Sequence, residues 1–199
     1  MTVSFSRREL LDLGAAWVAL SVAFTLLVGG GPGVFGRPQA VGWLTLSLFT
    51  VGVGFLLHEL AHKVTAVHFG KRAEFKADYG MLFVAVAAAL AGFFFAAPGA
   101  VYHAGHSTER QNGLIALAGP VTNIALAALF VAPALLLPGF LGTVGVFGVG
   151  INIFLAGFNM LPVGPLDGRT VWTWNKPVFL AVFLPSAGLS AYVFWVAFL

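Results

Sequence analysis

Two histidines four residues apart, with a glutamate beside the first, stand in an otherwise apolar run at His58-Glu59-Leu60-Ala61-His62. Ionisable groups are costly inside such a segment, so any fold this chain adopts has to satisfy them. On an α-helix a four-residue separation means about 40° of rotation and about 6 Å of rise, so both imidazoles leave one face. They can therefore close on one ion, with Glu59 within reach of a water held there. That pattern suits zinc-dependent hydrolysis, in which two nitrogens hold the metal and the carboxylate takes a proton from the water. The plainer alternative is a paired polar cluster in a transporter-like bundle.

Composition sets the surroundings. Of 199 residues 59% are apolar and only 9% charged, with a mean hydropathy of +0.96. A soluble domain of this size has too little interior for so much apolar surface. The expected class is an all-α polytopic membrane protein, a single domain over 1–199 with its core at about 41–170. The chain has no cysteine, which excludes disulfides, thiolate metal sites and a cysteine nucleophile. The net charge of +3 comes from scattered basic residues and forms no nucleic-acid patch.

Five to six spans are expected. Ser6 and Glu9 have capping-box spacing, and an apolar run of about 19 residues follows from Leu10 to Val28, long enough to cross a bilayer and longer than a signal-peptide core. The second helix is expected from about Val41 to Phe69. After polar residues 71–79, Met81 to Ala97 is apolar but broken by Gly92 and Pro98, and Phe93-Phe94-Phe95 favours extended chain. Leu114–Leu137, Phe140–Leu161 and Val178–Leu199 are further spans, with a Pro- and Gly-rich loop at 162–177. If 81–101 does not cross, Arg7, Arg8, Lys63, Lys71, Arg72, Lys76, Arg110, Arg169 and Lys176 share one side and Arg37 alone takes the other. The positive-inside rule makes the populated side cytoplasmic, with the N-terminus there, and the cell membrane is the expected location.

A catalytic zinc needs a third protein ligand and an open position. Asp167 is the best candidate, because Pro162 ends a helix and Gly168 allows a turn beside it; an ordinary turn with an Asx cap is the alternative. His68 stands where a third histidine would in a longer soluble-protease motif. No glycine breaks the helix before it, so it is rotated about 240° from His62 and points away. Glu74 and Glu109 lie in polar connections and are weaker candidates. His103 and His106 read as loop histidines, with a gating role at the site mouth as the alternative.

The pair of motifs, HExxH and Asn159-Met160-Leu161-Pro162 with Asp167-Gly168 about a hundred residues later, resembles the site-2 protease family of intramembrane zinc metalloproteases. Gly119-x-x-x-Asn123 matches that family's intervening helix. The resemblance implies one Zn2+ on His58, His62 and Asp167, Glu59 as general base, and Asn159 positioning substrate or stabilising the oxyanion. It also implies transmembrane protein substrates within the lipid bilayer, and a membrane-embedded β-hairpin at Met81 to Tyr102. The chain carries neither the PDZ nor the CBS module of some members, which leaves regulation open.

Parity supports a re-entrant segment independently. His58 and His62 lie near the C-terminal end of one helix and Asp167 just past the C-terminal end of another. Both helices must then run the same way, and Leu114–Leu137 supplies the single return crossing. Residues 81–101 therefore enter and leave by one face.

Overall fold

The structure is a computed structural model that describes residues 2–93 and 98–198. Five of its helices are long and apolar enough to cross a membrane: Arg7–Val28, Ala40–His68, Glu109–Leu136, Gly139–Asn159 and Lys176–Val193. In chain order the elements are α1 (Arg7–Val28), α2 (Ala40–Ser47), α3 (Val53–His68), β1 (Arg72–Ala77), α4 (Tyr79–Leu90), β2 (Gly99–Ala104), α5 (Glu109–Leu136), α6 (Gly139–Asn159), α7 (Asp167–Trp174) and α8 (Lys176–Phe198). A π turn at Leu48–Gly52 joins α2 to α3 as one long helix. The all-α polytopic expectation holds, at five spans.

Small and hydroxyl residues bring α1 against that long helix. A Cβ on Gly52 would lie 2.4 Å from Trp17, so only glycine lets the indole pack there. The Trp17 Nε1–H donates to Leu48 O, the first carbonyl of the π turn, at 3.1 Å. Thr25 Oγ1 donates to Ser47 Oγ at 2.9 Å, and both side chains are buried. Where no water competes, such pairs hold helices together without apolar driving force.

The segment after α3 departs from the expected hairpin. Its strands are β1 and β2, paired antiparallel with Phe75 opposite Val101 and Ala77 opposite Gly99. Met81 to Leu90, expected to be extended, lies in α4. Asp78 caps that helix by accepting the Met81 N–H at 2.9 Å, and its alanines are strong helix formers. Phe94 and Phe95, part of the extended-chain expectation, lie outside the described residues. At 12 residues, α4 is about 18 Å long and too short to cross about 30 Å of hydrocarbon. The Asp78 N–H donates to Pro98 O at 3.0 Å, so the segment leaves where it entered. It is re-entrant, as parity requires, with a helix between its strands.

Side chains of α1 fasten this sheet. Ser6 accepts the Glu9 N–H at 3.0 Å, as its cap spacing predicts, but Glu9 does not reach back. Its Oε1 instead accepts the Phe75 N–H of β1 at 2.9 Å, while Oε2 pairs with the Lys63 ammonium of α3. Asp12 repeats the arrangement one turn on, accepting the Ala77 N–H at 3.2 Å and the Tyr79 hydroxyl at 2.7 Å. Phe75 and Ala77 thus turn their N–H groups away from β2, and carboxylates cap both. Lys63, expected at the surface as a topology signal, is 1% exposed because Glu9 and the Ser4 carbonyl take its protons.

Removing one partner of a buried pair strands the other charge, which costs about 3–5 kcal/mol. Glu9→Ala is therefore expected to lower the thermal unfolding midpoint in detergent sharply. Adding Lys63→Met to it should recover part of the loss, the Phe75 N–H remaining uncapped.

Candidate metal centre

The sequence spacing becomes geometry where α3, α5 and α7 meet. His58 and His62 project from one face of α3, their ring centroids 4.6 Å apart. The α6 helix runs parallel to α3 in sense, and its last turn hands the chain through Pro162 to α7, whose first residue is Asp167. Asp167 Oδ2 lies 3.2 Å from His58 Nε2 and 3.3 Å from His62 Nε2. A tetrahedron with bonds of about 2.0–2.1 Å has edges of about 3.3 Å, so these separations fit a zinc between the three atoms. Asp167 sits on a helix N-terminus rather than in a turn. Gly168 serves close approach: a Cβ there would lie 2.0 Å from Met160 O.

The other nitrogen of each ring is committed. His58 Nδ1 meets Asn123 Oδ1 at 2.6 Å, and His62 Nδ1 meets Ile115 O at 2.7 Å. The Asn123 amide nitrogen donates to Gly54 O and to Asn152 Oδ1, which leaves its oxygen to face the imidazole. Both Nδ1 atoms therefore carry the proton, and both Nε2 lone pairs face Asp167. Three converging lone-pair donors repel one another unless a cation lies between them. Gly119 makes the space, since a Cβ on it would lie 2.5 Å from both Nε2 atoms.

Glu59, 7% exposed, follows His58 on α3, and its Oε2 has no hydrogen-bond partner. The Val101 N–H of β2 reaches the same carboxyl, as expected of a residue whose opposite number, Phe75, turns its own N–H outward. His58, Glu59, His62, Val101 and Asp167 border a cavity of about 410 Å³, whose apolar wall includes Phe55, Ile115, Leu155 and Leu166.

Asn159 lines the same cavity and donates to Leu155 O at 3.0 Å; it touches none of the three converging atoms. His68 is exposed at the far end of α3 and stacks edge-on with Phe69, outside the cluster. His106 is exposed and offers its carbonyl to Lys71, whereas His103 reaches the cavity wall. Sequence reading assigned no structural role to Asn123 and passed over Asn152. The available signal was a carboxamide, in each case, within a long apolar helix.

The arrangement defines a class, a metal-dependent hydrolase whose centre lies among membrane helices. Comparison with known proteins agrees. The chain is 42% identical over 197 residues, 96% of its length and 97% of the relative's, to the "Putative zinc metalloprotease MJ0611" of Methanocaldococcus jannaschii. It is 34% identical over 153 residues to the "Putative zinc metalloprotease Rip3" of Mycobacterium tuberculosis, covering 72% of this chain and 35% of that one. It is 28% identical over 184 residues to the "Putative zinc metalloprotease YwhC" of Bacillus subtilis, covering 74% and 83%. No family model matches, and no solved structure matches. The chain belongs to the site-2 protease family of zinc metalloproteases. It is an enzyme of the membrane, and its metal is zinc.

Gly119→Ala is expected to force the two imidazoles apart. Metal analysis of purified protein should show zinc falling to a small fraction of the wild-type content.

Proposed function

We propose that the chain is an intramembrane endopeptidase, cutting peptide bonds within or near transmembrane segments of other membrane proteins, with His58, His62 and Asp167 as the zinc ligands. The carrying observation is the convergence of His58 Nε2, His62 Nε2 and Asp167 Oδ2 beside an unpartnered Glu59 oxygen in one cavity. Zinc supplies Lewis acidity there, lowering the pKa of water and polarising a carbonyl. Glu59 accepts the proton of the attacking water and delivers it to the leaving amine. Asn159 has a second amide N–H beyond the one on Leu155 O, and that N–H suits a substrate carbonyl.

The substrate has to unwind first, because helical carbonyls are already bonded. An extended segment then needs main-chain partners, and the outward edge of β2, apart from the Val101 N–H that meets Glu59, offers them, as strand addition does in many peptide-binding proteins. The positions of Arg7, Arg8, Arg72 and Arg169 favour a cytoplasmic N-terminus and a cytoplasmic site mouth in the cell membrane; Lys71, also expected at the surface, is 3% exposed and is no such signal. In this reading residues 1–199 act as one domain.

Glu59→Gln should keep its zinc and lose cleavage of a transmembrane test peptide by about 10²–10⁴-fold; substantial turnover would remove Glu59 from the role of base. Metal content separates the candidate third ligands. Asp167→Ala should drop zinc and abolish cleavage, whereas His68→Ala should do neither, and the reverse pattern would overturn the assignment.

A further inference from the structure

Three buried side-chain atoms among the described residues have no hydrogen-bond partner: Glu59 Oε2, His103 Nδ1 and Asn112 Oδ1. All three residues border the one catalytic cavity. Glu59 is accounted for by the water it faces in the proposed reaction. The other two have no such use, and an unsatisfied buried polar group costs about 1–3 kcal/mol. Their position in the wall of a substrate cavity makes a ligand the natural partner.

Each is held firmly. His103 lies on β2 opposite Ala73 of β1, and with Gly99 and Val101 it forms the half-buried set of the strand, while Ala100, Tyr102 and Ala104 are exposed. Burial first, and the Lys71 ammonium next, hold its imidazole below the ordinary value. An imidazole always keeps at least one N–H to donate. Lys71 is itself only 3% exposed and anchored on the His106 carbonyl, so its charge stays beside the strand. Asn112 lies in the first turn of α5, which a complete capping box of Thr108 and Gln111 fixes, and its N–H is bonded to Thr108 O. Gly113 follows it and packs against Trp174 of α7, where a Cβ would lie 2.3 Å from the indole.

We propose that His103 and Asn112 form a polar subsite for the main chain of the unwound substrate, His103 donating to a carbonyl and Asn112 accepting an N–H. The unmet need of an unwound segment at membrane depth is its bare amides. The remaining wall is apolar at Phe55, Ile115, Leu155 and Leu166 and suits apolar side chains. A donor and an acceptor in the same largely apolar wall match peptide backbone better than any charged or sugar-like group. Both residues are then substrate-binding groups, and the proposal rests on the endopeptidase reading.

The test uses the full-length zinc-loaded protein and a Leu/Ala transmembrane peptide with a central Ala-Gly-Ser segment. A companion series carries single backbone esters, each replacing one N–H by oxygen. His103→Ala and Asn112→Ala are each expected to keep full zinc and raise KM about tenfold with kcat within about twofold. His103→Gln, which retains a donor, should recover part of the loss. One ester position should weaken the wild type by a similar factor and cost nothing further in Asn112→Ala. Binding of the same peptides to Glu59→Gln, followed by fluorescence, should repeat the pattern without turnover. Unchanged KM and binding in both alanine variants would mean that water alone satisfies the two groups, and additive ester losses would mean that Asn112 meets no substrate N–H; either overturns the proposal. Failure of the endopeptidase reading reads differently: the wild type cuts no peptide, or Glu59→Gln still does.

Discussion

A neutral imidazole has one N–H and one lone pair, and both histidines of this centre commit the N–H to a fixed acceptor. The rest of the molecule follows from that. For His58 the acceptor is Asn123 on α5, which is oriented by Gly54 of α3 and Asn152 of α6. Asn152 in turn donates to Gly148 O of its own helix. One buried chain of carboxamides thus ties three membrane helices together and sets which nitrogen faces inward. A mismatch anywhere along it would leave a polar group bare in a region without water, so helix positions and ring tautomer are determined jointly. Tetrahedral spacing at the centre is a product of helix packing.

Glycine gives the same network its tightness. The close faces of Gly119, Gly54 and Gly168 let side chains or carbonyls of neighbouring helices occupy the volume of a methyl group. In lipid there is little apolar driving force between helices, so such approach, with the hydrogen bonds it allows, carries much of the association. Pro120 has no N–H, so the Ala116 carbonyl loses its intrahelical donor, one residue from Ile115, whose carbonyl accepts the His62 Nδ1–H.

Much of the centre could be read from the sequence because its signals are local or obey parity. The helical period places His58, Glu59 and His62, and a count of crossings brings Asp167 to the correct face. The re-entrant topology follows from the same count. Its internal form did not, because β1 is built from residues 72–77, whose charges read as a loop. Its outward N–H groups are met by Glu9 and Asp12, more than sixty residues earlier, and no local pattern announces such pairs. Lys63 was misplaced for the same reason, since a lysine near a helix end reads as a membrane-surface charge until its buried partner is known. Asn112 and His103 looked like ordinary loop polarity, and only their sharing of a cavity with Glu59 distinguishes them.

The capping of β1 by two carboxylates has a consequence for how the enzyme meets extended chains. A two-stranded sheet ordinarily has two open margins, and either can recruit a stray strand. Here two N–H groups of the margin facing α1 are taken by Glu9 and Asp12, so a strand added there would have to displace two carboxylates. Under the proposed function a polypeptide joins the sheet beside β2, which borders the cavity that the histidines line.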